Sequence, residues 1–211
     1  MPLPRRLHAW CVSNSYRIEI PGGVYHVNTK AVAGVKAFPD FRHRQRFMDL
    51  FGEEVERSGW TCLGYTVVGT HYHVLIRIQE LTLSSGFQRL NSRYARWFNS
   101  NHGRRGAFWQ RRFHDTPVET DSHLLELQRY FAYNAPRANL ADAPEDWPYC
   151  NYGSLVGVHG PDPYVAECEV LALMARDPRR ARQLFREFVE ERDPRVRRRQ
   201  TLLRRRSDAE E

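Results

Sequence analysis

The spacing of apolar residues along the chain predicts a regular series of strands and helices. Residues 24–29 alternate between apolar and polar side chains, which is typical of a strand with one buried face. In residues 42–57, apolar side chains instead recur every three or four positions, as they do on the buried face of a helix. Residues 60–68 and 71–78 are rich in β-branched and aromatic residues, and Gly69-Thr70 between them predicts a hairpin of two further strands.

The pattern continues with a second long helix and a short fourth strand. Thr82 or Ser84 would cap this helix, which is expected to end at His102-Gly103, and residues 116–119 form the strand. The resulting order, β-α-β-β-α-β, is that of ferredoxin-like α+β domains with split β-α-β units. We therefore expect an antiparallel sheet with both long helices on one face and the opposite face open for chemistry.

Changes in composition divide the chain into three predicted parts. Residues 1–20 read as an irregular N-terminal arm, and residues 21–156 as the main domain. Residues 157–211 are predicted to form a basic helical C-terminal extension with helical spacing on either side of Asp177-Pro178. The final charge run, in residues 192–206, is too poor in apolar residues to be core and would attract phosphates without regard to sequence.

Size and composition indicate a globular protein. The chain has 211 residues, of which 41% are hydrophobic and 12% aromatic, and this is ample for a core. No apolar run approaches the roughly 20 residues that cross a bilayer, and the N-terminus lacks an apolar segment of signal-peptide type. We therefore expect a cytoplasmic protein without a membrane partner. The four cysteines form no C-x-x-C pair and indicate neither a zinc module nor a disulfide framework.

The charge of the chain favours a polyanionic partner. The formal net charge is +7, and the excess is almost wholly arginine, since Lys30 and Lys36 are the only lysines. Guanidinium groups suit phosphate contact and base stacking. Residues 103–113 interleave four arginines with three aromatic rings, which fits single-stranded nucleic acid. The alternative is an ordinary loop with its rings in the core and its arginines in water. The candidate nucleic-acid contacts are Arg104, Arg105, Phe108, Trp109, Arg111, Arg112, Arg89 and Arg93, with Arg197, Arg198 and Arg199 in the tail.

Two histidines on the third predicted strand are candidate metal ligands. Successive side chains on a strand point to opposite faces, so His71 and His73 project the same way while Tyr72 points into the other layer. Two imidazoles side by side can chelate a divalent cation. A His-x-His pair on a strand can also be no more than a polar sheet face.

A third helix presents a candidate nucleophile and a candidate third ligand. Asp121 is expected to cap a helix that runs from residue 122 to about Asn134, where Pro136 prevents further regular turns. Tyr130 and Asn134 are four residues apart and share a face of this helix. A helical tyrosine is often only a core residue, an asparagine near a helix end is often a cap, and Tyr133 competes with Tyr130 as the nucleophile.

Five segments in order resemble the REP-associated tyrosine transposases, which belong to the single-tyrosine HUH transposase superfamily. They read PGGVYHV, GWTCLGYTVVGTHYHVLI, LNSRYARWFNSNHGRRGAFWQRRF, LLELQRYFAYNAPRA and EDWPYCNY, and they span roughly residues 21–156. Two departures concern flanking positions. The family usually has an Arg-Gly-Asn-like element where this chain reads TKAVAG at residues 29–34, and Pro-Asn where it has Gly69-Thr70.

The resemblance implies an enzyme that cuts and rejoins single-stranded or hairpin DNA by transesterification. It makes Tyr130 the nucleophile of a 5′-phosphotyrosine intermediate, His71, His73 and Asn134 the ligands of Mg²⁺ or Mn²⁺, and Tyr133 a packing residue. In such proteins the tyrosine acts in its own subunit or in that of a homodimer partner. Two other interpretations are a hairpin-binding protein that no longer cuts and a metal-dependent hydrolase, although no Asp or Glu follows the histidine pair before Glu80.

Overall fold

Four antiparallel strands form the sheet at the centre of the protein. The computed structural model describes residues 19–191. The strands are β1 (Val24–Lys30), β2 (Thr61–Val67), β3 (His71–Arg77) and β4 (His114–Pro117), in the spatial order β2-β3-β1-β4. Each neighbouring pair is antiparallel. The predicted ferredoxin-like α+β arrangement is therefore confirmed.

Two long helices cover one face of the sheet. They are α1 (Phe41–Ser58) and α2 (Leu83–Asn101), and they pack against each other. Tyr72, in the middle of β3, points into this layer, where its ring centroid lies 4.6 Å from that of Phe47. Its hydroxyl also donates a hydrogen bond of 2.9 Å to Asn91 of α2. Because Tyr72 points towards the helices, its two histidine neighbours face the other side of the sheet.

The third helix, α3 (Asp121–Ala132), lies on that other side. The amide of the Gln128 side chain donates to the Leu63 carbonyl oxygen of β2 at 2.6 Å. Thr120 rather than the predicted Asp121 caps the helix, since its hydroxyl accepts from the backbone N–H of His123. The helix also ends earlier than predicted.

A separate short turn, α4 (Asn134–Arg137), follows α3 and contains Pro136. Because the first residues of a helix need no intrahelical N–H donor, proline is tolerated there and does not prevent the turn. Asn134 thus begins a new turn and does not complete the third helix.

The fourth strand begins two residues earlier than residues 116–119. Its pairing with β1 places His114 opposite Asn28 and Pro117 opposite Tyr25. One further backbone hydrogen bond of 2.8 Å, from Val118 N–H to the Val24 carbonyl, continues the contact beyond the strand. The position of β4 is therefore set by its pairing with β1. The residue types of β4 alone do not predict where it begins.

Residues 138–191, the last part of the chain that the structure describes, cover the edge of β2 and the back of α3. The Val67 N–H donates to the Tyr149 carbonyl, and the Tyr65 N–H donates to the side chain of Asn151. These bonds cover an edge that would otherwise be free to pair with other chains. Up to residue 191 this part contains a 3₁₀ turn (Pro144–Asp146) and the helices α5 (Tyr152–Leu155), α6 (Glu167–Ala172) and α7 (Pro178–Glu190).

Helices α6 and α7 share the core of the main domain. Val170 of α6 and Phe185 and Val189 of α7 are buried in the same apolar cluster as the sheet. The predicted boundary at residue 157 stays a prediction. Residues 1–18 and 192–211, with Arg197, Arg198 and Arg199, lie outside the described residues. Within residues 19–191, no helix is long and apolar enough to span a bilayer.

Candidate active site

The two histidines of β3 stand together on the face of the sheet opposite α1 and α2. Their ring centroids are 5.2 Å apart and the ring planes are almost perpendicular, at 89°. His73 is 8% exposed, while His71 at the start of the strand is half-buried. Both rings are therefore held by their surroundings, and His71 lies nearer to solvent.

Helix α3 brings Tyr130 to His73. The Tyr130 hydroxyl lies 3.3 Å from His73 Nε2, and the ring centroids are 5.1 Å apart at 89°. Tyr130 is 37% exposed, whereas Tyr133 is only 7% exposed. Tyr130 is thus the tyrosine of this helix that is open to an incoming substrate. Tyr133 is buried, as expected of a packing residue.

Asn134 completes the set from the turn after α3. Its side chain forms a hydrogen bond with His71. The predicted residues Tyr130, His71, His73 and Asn134 therefore meet at one place, although they come from a strand, a helix and a turn. Among residues 19–191, no group of three or more His, Cys, Asp or Glu side chains could hold a metal ion, so the third donor to a metal here would be the amide of Asn134.

Burial keeps the histidines neutral and their lone pairs available. Burial, with smaller contributions from the neighbouring His26 and His71, lowers the pKa of His73 to about 2. The pKa of His71 is also lowered, first by burial and then by the charge of Lys30, while the bond to Asn134 acts in the opposite direction. Neutral imidazoles with an amide oxygen are a donor set that fits a divalent cation. The residues present therefore fit the predicted Mg²⁺ or Mn²⁺.

His26 belongs to the site but was not predicted from the sequence. Its Nε2 lies 2.9 Å from His73 Nδ1, with the ring centroids 5.1 Å apart and the ring planes inclined by 23°. Burial lowers the pKa of His26 to about 4, with smaller contributions from His114 and His123. The alternation of β1 was a usable signal, because it places His26, Asn28 and Lys30 on one face. The strand pairing that joins this face to His73 could not be read from the alternation alone.

The loop that interleaves arginines with aromatic rings is divided between core and solvent. Phe108 is 3% exposed, and the indole N–H of Trp109 donates to the Asn91 carbonyl. The Phe108 ring is therefore not free to stack on a base, and this favours the interpretation that places the rings in the core. Arg105, Arg111 and Arg112 are exposed.

The same loop pairs with the end of β1, next to the start of β3. The Gln110 N–H donates to the Lys30 carbonyl at 3.0 Å, and Lys30 is paired with His71 across β1 and β3. Arg111 and Arg112 follow directly along the chain. The half-buried Arg104 donates to the Asn99 side chain at 3.2 Å.

Arg89 and Arg93 lie on the other side of the molecule. Both belong to α2, on the face of the sheet opposite Tyr130. Arg89 donates to the buried Glu54 carboxylate at 2.7 Å, and Arg93 is paired with Glu53. The structure brings neither of these arginines to the candidate active site.

Comparison with known proteins establishes the family. The model of the family described as "Transposase IS200 like" matches residues 24–134, which include the histidine pair, Tyr130 and Asn134. The chain belongs to the IS200-like transposase family. A Haemophilus influenzae protein assigned by name to the REP-associated tyrosine transposases is 24% identical to this transposase over 153 residues, which are 67% of this chain and 86% of that protein. The predicted resemblance is confirmed.

A solved structure shares the fold of this IS200-like transposase. It is that of a REP-associated tyrosine transposase bound to a REP hairpin. The TM-score is 0.59 at 16% sequence identity, and the match covers 72% of this chain and 90% of the other. The structural match covers a larger part of the chain than the segment that the family model matches.

Proposed function

We propose that this transposase cleaves and rejoins single-stranded DNA by transesterification, with Tyr130 as the nucleophile. The observation that carries the proposal is the position of the Tyr130 hydroxyl, 3.3 Å from His73 Nε2 on the open face of the sheet. Nucleophilic catalysis needs an accessible attacking atom beside the group that activates the reacting centre. Tyr130 meets both requirements, whereas the buried Tyr133 fails the first.

The reaction exchanges one phosphodiester bond for another. The Tyr130 oxygen attacks phosphorus and loses its proton, while the bond from phosphorus to the 3′ oxygen of the DNA breaks and that oxygen leaves as a 3′-hydroxyl. The product is a 5′-phosphotyrosine, which a 3′-hydroxyl can attack in the reverse direction to rejoin DNA. Because each step conserves the number of phosphodiester bonds, no external energy source is needed.

His71, His73 and Asn134 would hold the cation that the reaction requires. A Mg²⁺ or Mn²⁺ ion bound there would supply positive charge to polarise a non-bridging phosphate oxygen and to stabilise the departing 3′ oxygen. The chain itself fixes the donors, since two come from one rigid strand and the third begins the turn after α3. The proposed nucleophile is carried by α3, and the proposed third ligand begins the next turn, four residues further along the chain.

Single-stranded or hairpin DNA is the proposed substrate. A duplex would enclose the neighbours of the scissile phosphate, while a single strand or the foot of a hairpin leaves it accessible. The relative and the solved structure described above support this class of substrate, because they are named as REP-associated transposases and the latter is bound to a REP hairpin. Arg105, Arg111 and Arg112 are the exposed cations proposed to contact its phosphates.

A labelled-oligonucleotide assay tests the proposal. Hairpin oligonucleotides from the DNA flanking the gene, labelled at either end, are incubated with protein and Mg²⁺ or Mn²⁺. The wild type and Tyr133→Phe should form a covalent adduct, and Tyr130→Phe should not. If the wild type binds these hairpins tightly but forms neither adduct nor cleavage product with either metal, the protein is a hairpin-binding protein and the transesterase proposal fails.

A further inference from the structure

His26 is the neighbour that occupies the second nitrogen of His73. The Nε2 atom of His73 faces Tyr130, and its Nδ1 atom lies 2.9 Å from His26 Nε2. The contact joins β1 to β3, since Asn28, two residues after His26, is the strand partner of His73. The Phe131 ring lies against both imidazoles, with centroid distances of 5.6 Å to His26 and 5.9 Å to His73. Both rings are therefore packed in fixed orientations.

The pairing of two ring nitrogens constrains which atom carries each proton. A neutral imidazole has one N–H and one bare nitrogen, so a hydrogen bond between two rings needs one of each. If His73 presents a lone pair at Nε2, its proton is on Nδ1 and is donated to a bare His26 Nε2. A Tyr130 hydroxyl that donates to His73 Nε2 is consistent with this arrangement.

We propose that His26 is a positioning residue that holds His73 in the Nδ1–H tautomer and fixes the direction of its Nε2 lone pair. The inference rests on the proposed function, since it gives the reason why His73 can act as a ligand. Histidine ligands generally donate their second ring N–H to an acceptor, and loss of that acceptor typically costs roughly 10–100-fold in metal affinity or activity. Here the acceptor is another imidazole from the neighbouring strand.

The tautomer can be measured without metal or DNA. In protein labelled with ¹⁵N at its histidines, long-range proton–nitrogen NMR spectra distinguish the protonated from the bare ring nitrogen of each residue. The His73 proton should be on Nδ1 in the wild type. In His26→Leu it should shift largely to Nε2, whereas His26→Gln, whose side-chain oxygen can accept a hydrogen bond, should keep it on Nδ1. A wild-type His73 protonated on Nε2 would overturn the inference.

Mn²⁺ affinity, measured by electron paramagnetic resonance, gives a second readout. We expect His26→Leu to bind Mn²⁺ about 10–100-fold more weakly than the wild type, and His26→Gln to recover most of the loss. His114→Gln is the matched control, because His114 is exposed on the neighbouring strand β4 and lies on the same face of the sheet. It should bind as the wild type does.

The outcomes separate the inference from the proposed function. Wild-type affinity in a folded His26→Leu would overturn the positioning role and leave the proposed function intact. A second outcome is that His71→Ala leaves Mn²⁺ binding unchanged, or that the wild type does not bind Mn²⁺, while the tautomer of His73 still depends on His26. The positioning role then stands and the proposed metal site fails. Should His26→Leu not fold, the wild-type spectrum and His26→Gln still decide the question.

Discussion

At the scale of single residues, His73 links the parts of the candidate site. One ring nitrogen faces Tyr130 on α3 and the other faces His26 on β1, while His71 stands beside it on β3. Its neighbour Tyr72 points the opposite way and packs on Phe47. In this stretch of β3, His71 and His73 therefore belong to the candidate site, and Tyr72 between them belongs to the core.

The exposed arginines Arg111 and Arg112 should each contribute one phosphate contact to DNA binding. We expect Arg111→Gln and Arg112→Gln each to weaken hairpin binding and to reduce the slope of log K against log salt by about 0.7–0.9, because each removes one phosphate contact. Arg93→Gln is the control, since Arg93 is paired with Glu53 on the other side of the sheet. Fluorescence anisotropy at several salt concentrations measures the slopes. Equal slopes for Arg111→Gln, Arg112→Gln and the wild type would contradict the assignment.

Sequence was sufficient for some residues of the site and not for others. Strand alternation placed His71 and His73 on one face, because that rule depends only on local geometry. The spacing of four from Tyr130 to Asn134 assumed one continuous helix, but α3 ends at Ala132 and Asn134 reaches the site from the next turn. The role of His26 depends on which strand lies beside β3. Likewise, the burial of Phe108 depends on how its loop packs, and the spacing of arginines and aromatic residues does not predict that packing.

At the scale of elements, the ends of α1 follow from its sequence. The Asp40 side chain accepts from the backbone N–H of His43, and Gly59 ends the helix with a φ of 61°, in the left-handed region that favours glycine. The same reasoning chose Asp121 for α3, where the structure uses Thr120. When two neighbouring residues can both cap a helix, the residue types alone do not tell which of them is the cap.

The cap of α1 should be visible in the stability of the protein. Asp40→Ala should lower the free energy of unfolding by about 1 kcal/mol at neutral pH, and Asp40→Asn by less, because asparagine can also accept from the His43 N–H. The hydrogen bonds from His43 lower the pKa of Asp40. The contribution of its charge is therefore present above the ordinary aspartate pKa of about 3.9 and is lost as the pH falls through the lower folded value.

Urea unfolding of the three proteins between pH 7 and pH 3 measures this effect. The difference between wild type and Asp40→Asn should shrink as the pH falls below about 4. A difference that stays constant or grows in acid would show that the Asp40 charge does not act through this cap.

Gly86 in α2 should be more stable as glycine than as alanine. In an open helix, alanine would gain about 1 kcal/mol. Here a Cβ would overlap the ring of Trp60, which is held by a hydrogen bond to Thr82 and by stacking on Phe87 at 4.7 Å. Since overpacking costs about 1–3 kcal/mol and the helical gain offsets about 1 kcal/mol of it, we expect Gly86→Ala to be destabilised by up to about 2 kcal/mol.

Thermal and urea unfolding check this sign, with Ser85→Ala as the control on the same helix. Ser85 is exposed, so its replacement should change the stability by no more than about 0.5 kcal/mol. A stabilised Gly86→Ala would mean that Trp60 moves aside without cost.

At the scale of the whole molecule, α3 lies between the sheet and the C-terminal helices. The guanidinium of Arg129, next to Tyr130, donates to the Phe188 carbonyl of α7 and lies 3.7 Å above the Phe188 ring centroid. The segment predicted as an extension therefore supports the helix that carries the candidate nucleophile. The cytoplasmic location and the possible homodimer stay predictions from the sequence.

Loosening α7 should destabilise the protein. Phe185 is fully buried in the shared core, so Phe185→Ala should cost about 3–5 kcal/mol in the free energy of unfolding. Phe41→Ala is the matched control, because that side chain is 69% exposed and its loss should cost about 0.5 kcal/mol or less. Urea unfolding gives both values. Equal small losses would show that α7 does not share the core.

If Tyr130 is the nucleophile, the covalent bond to DNA forms on its side chain, and this bond can be located directly. The covalent adduct formed with a hairpin oligonucleotide is digested with nuclease and trypsin, and tandem mass spectrometry locates the remaining nucleotide on the peptide of residues 130–137, YFAYNAPR. The phosphodiester should be found on Tyr130. A nucleotide on Tyr133, or on a residue outside this peptide, would contradict it.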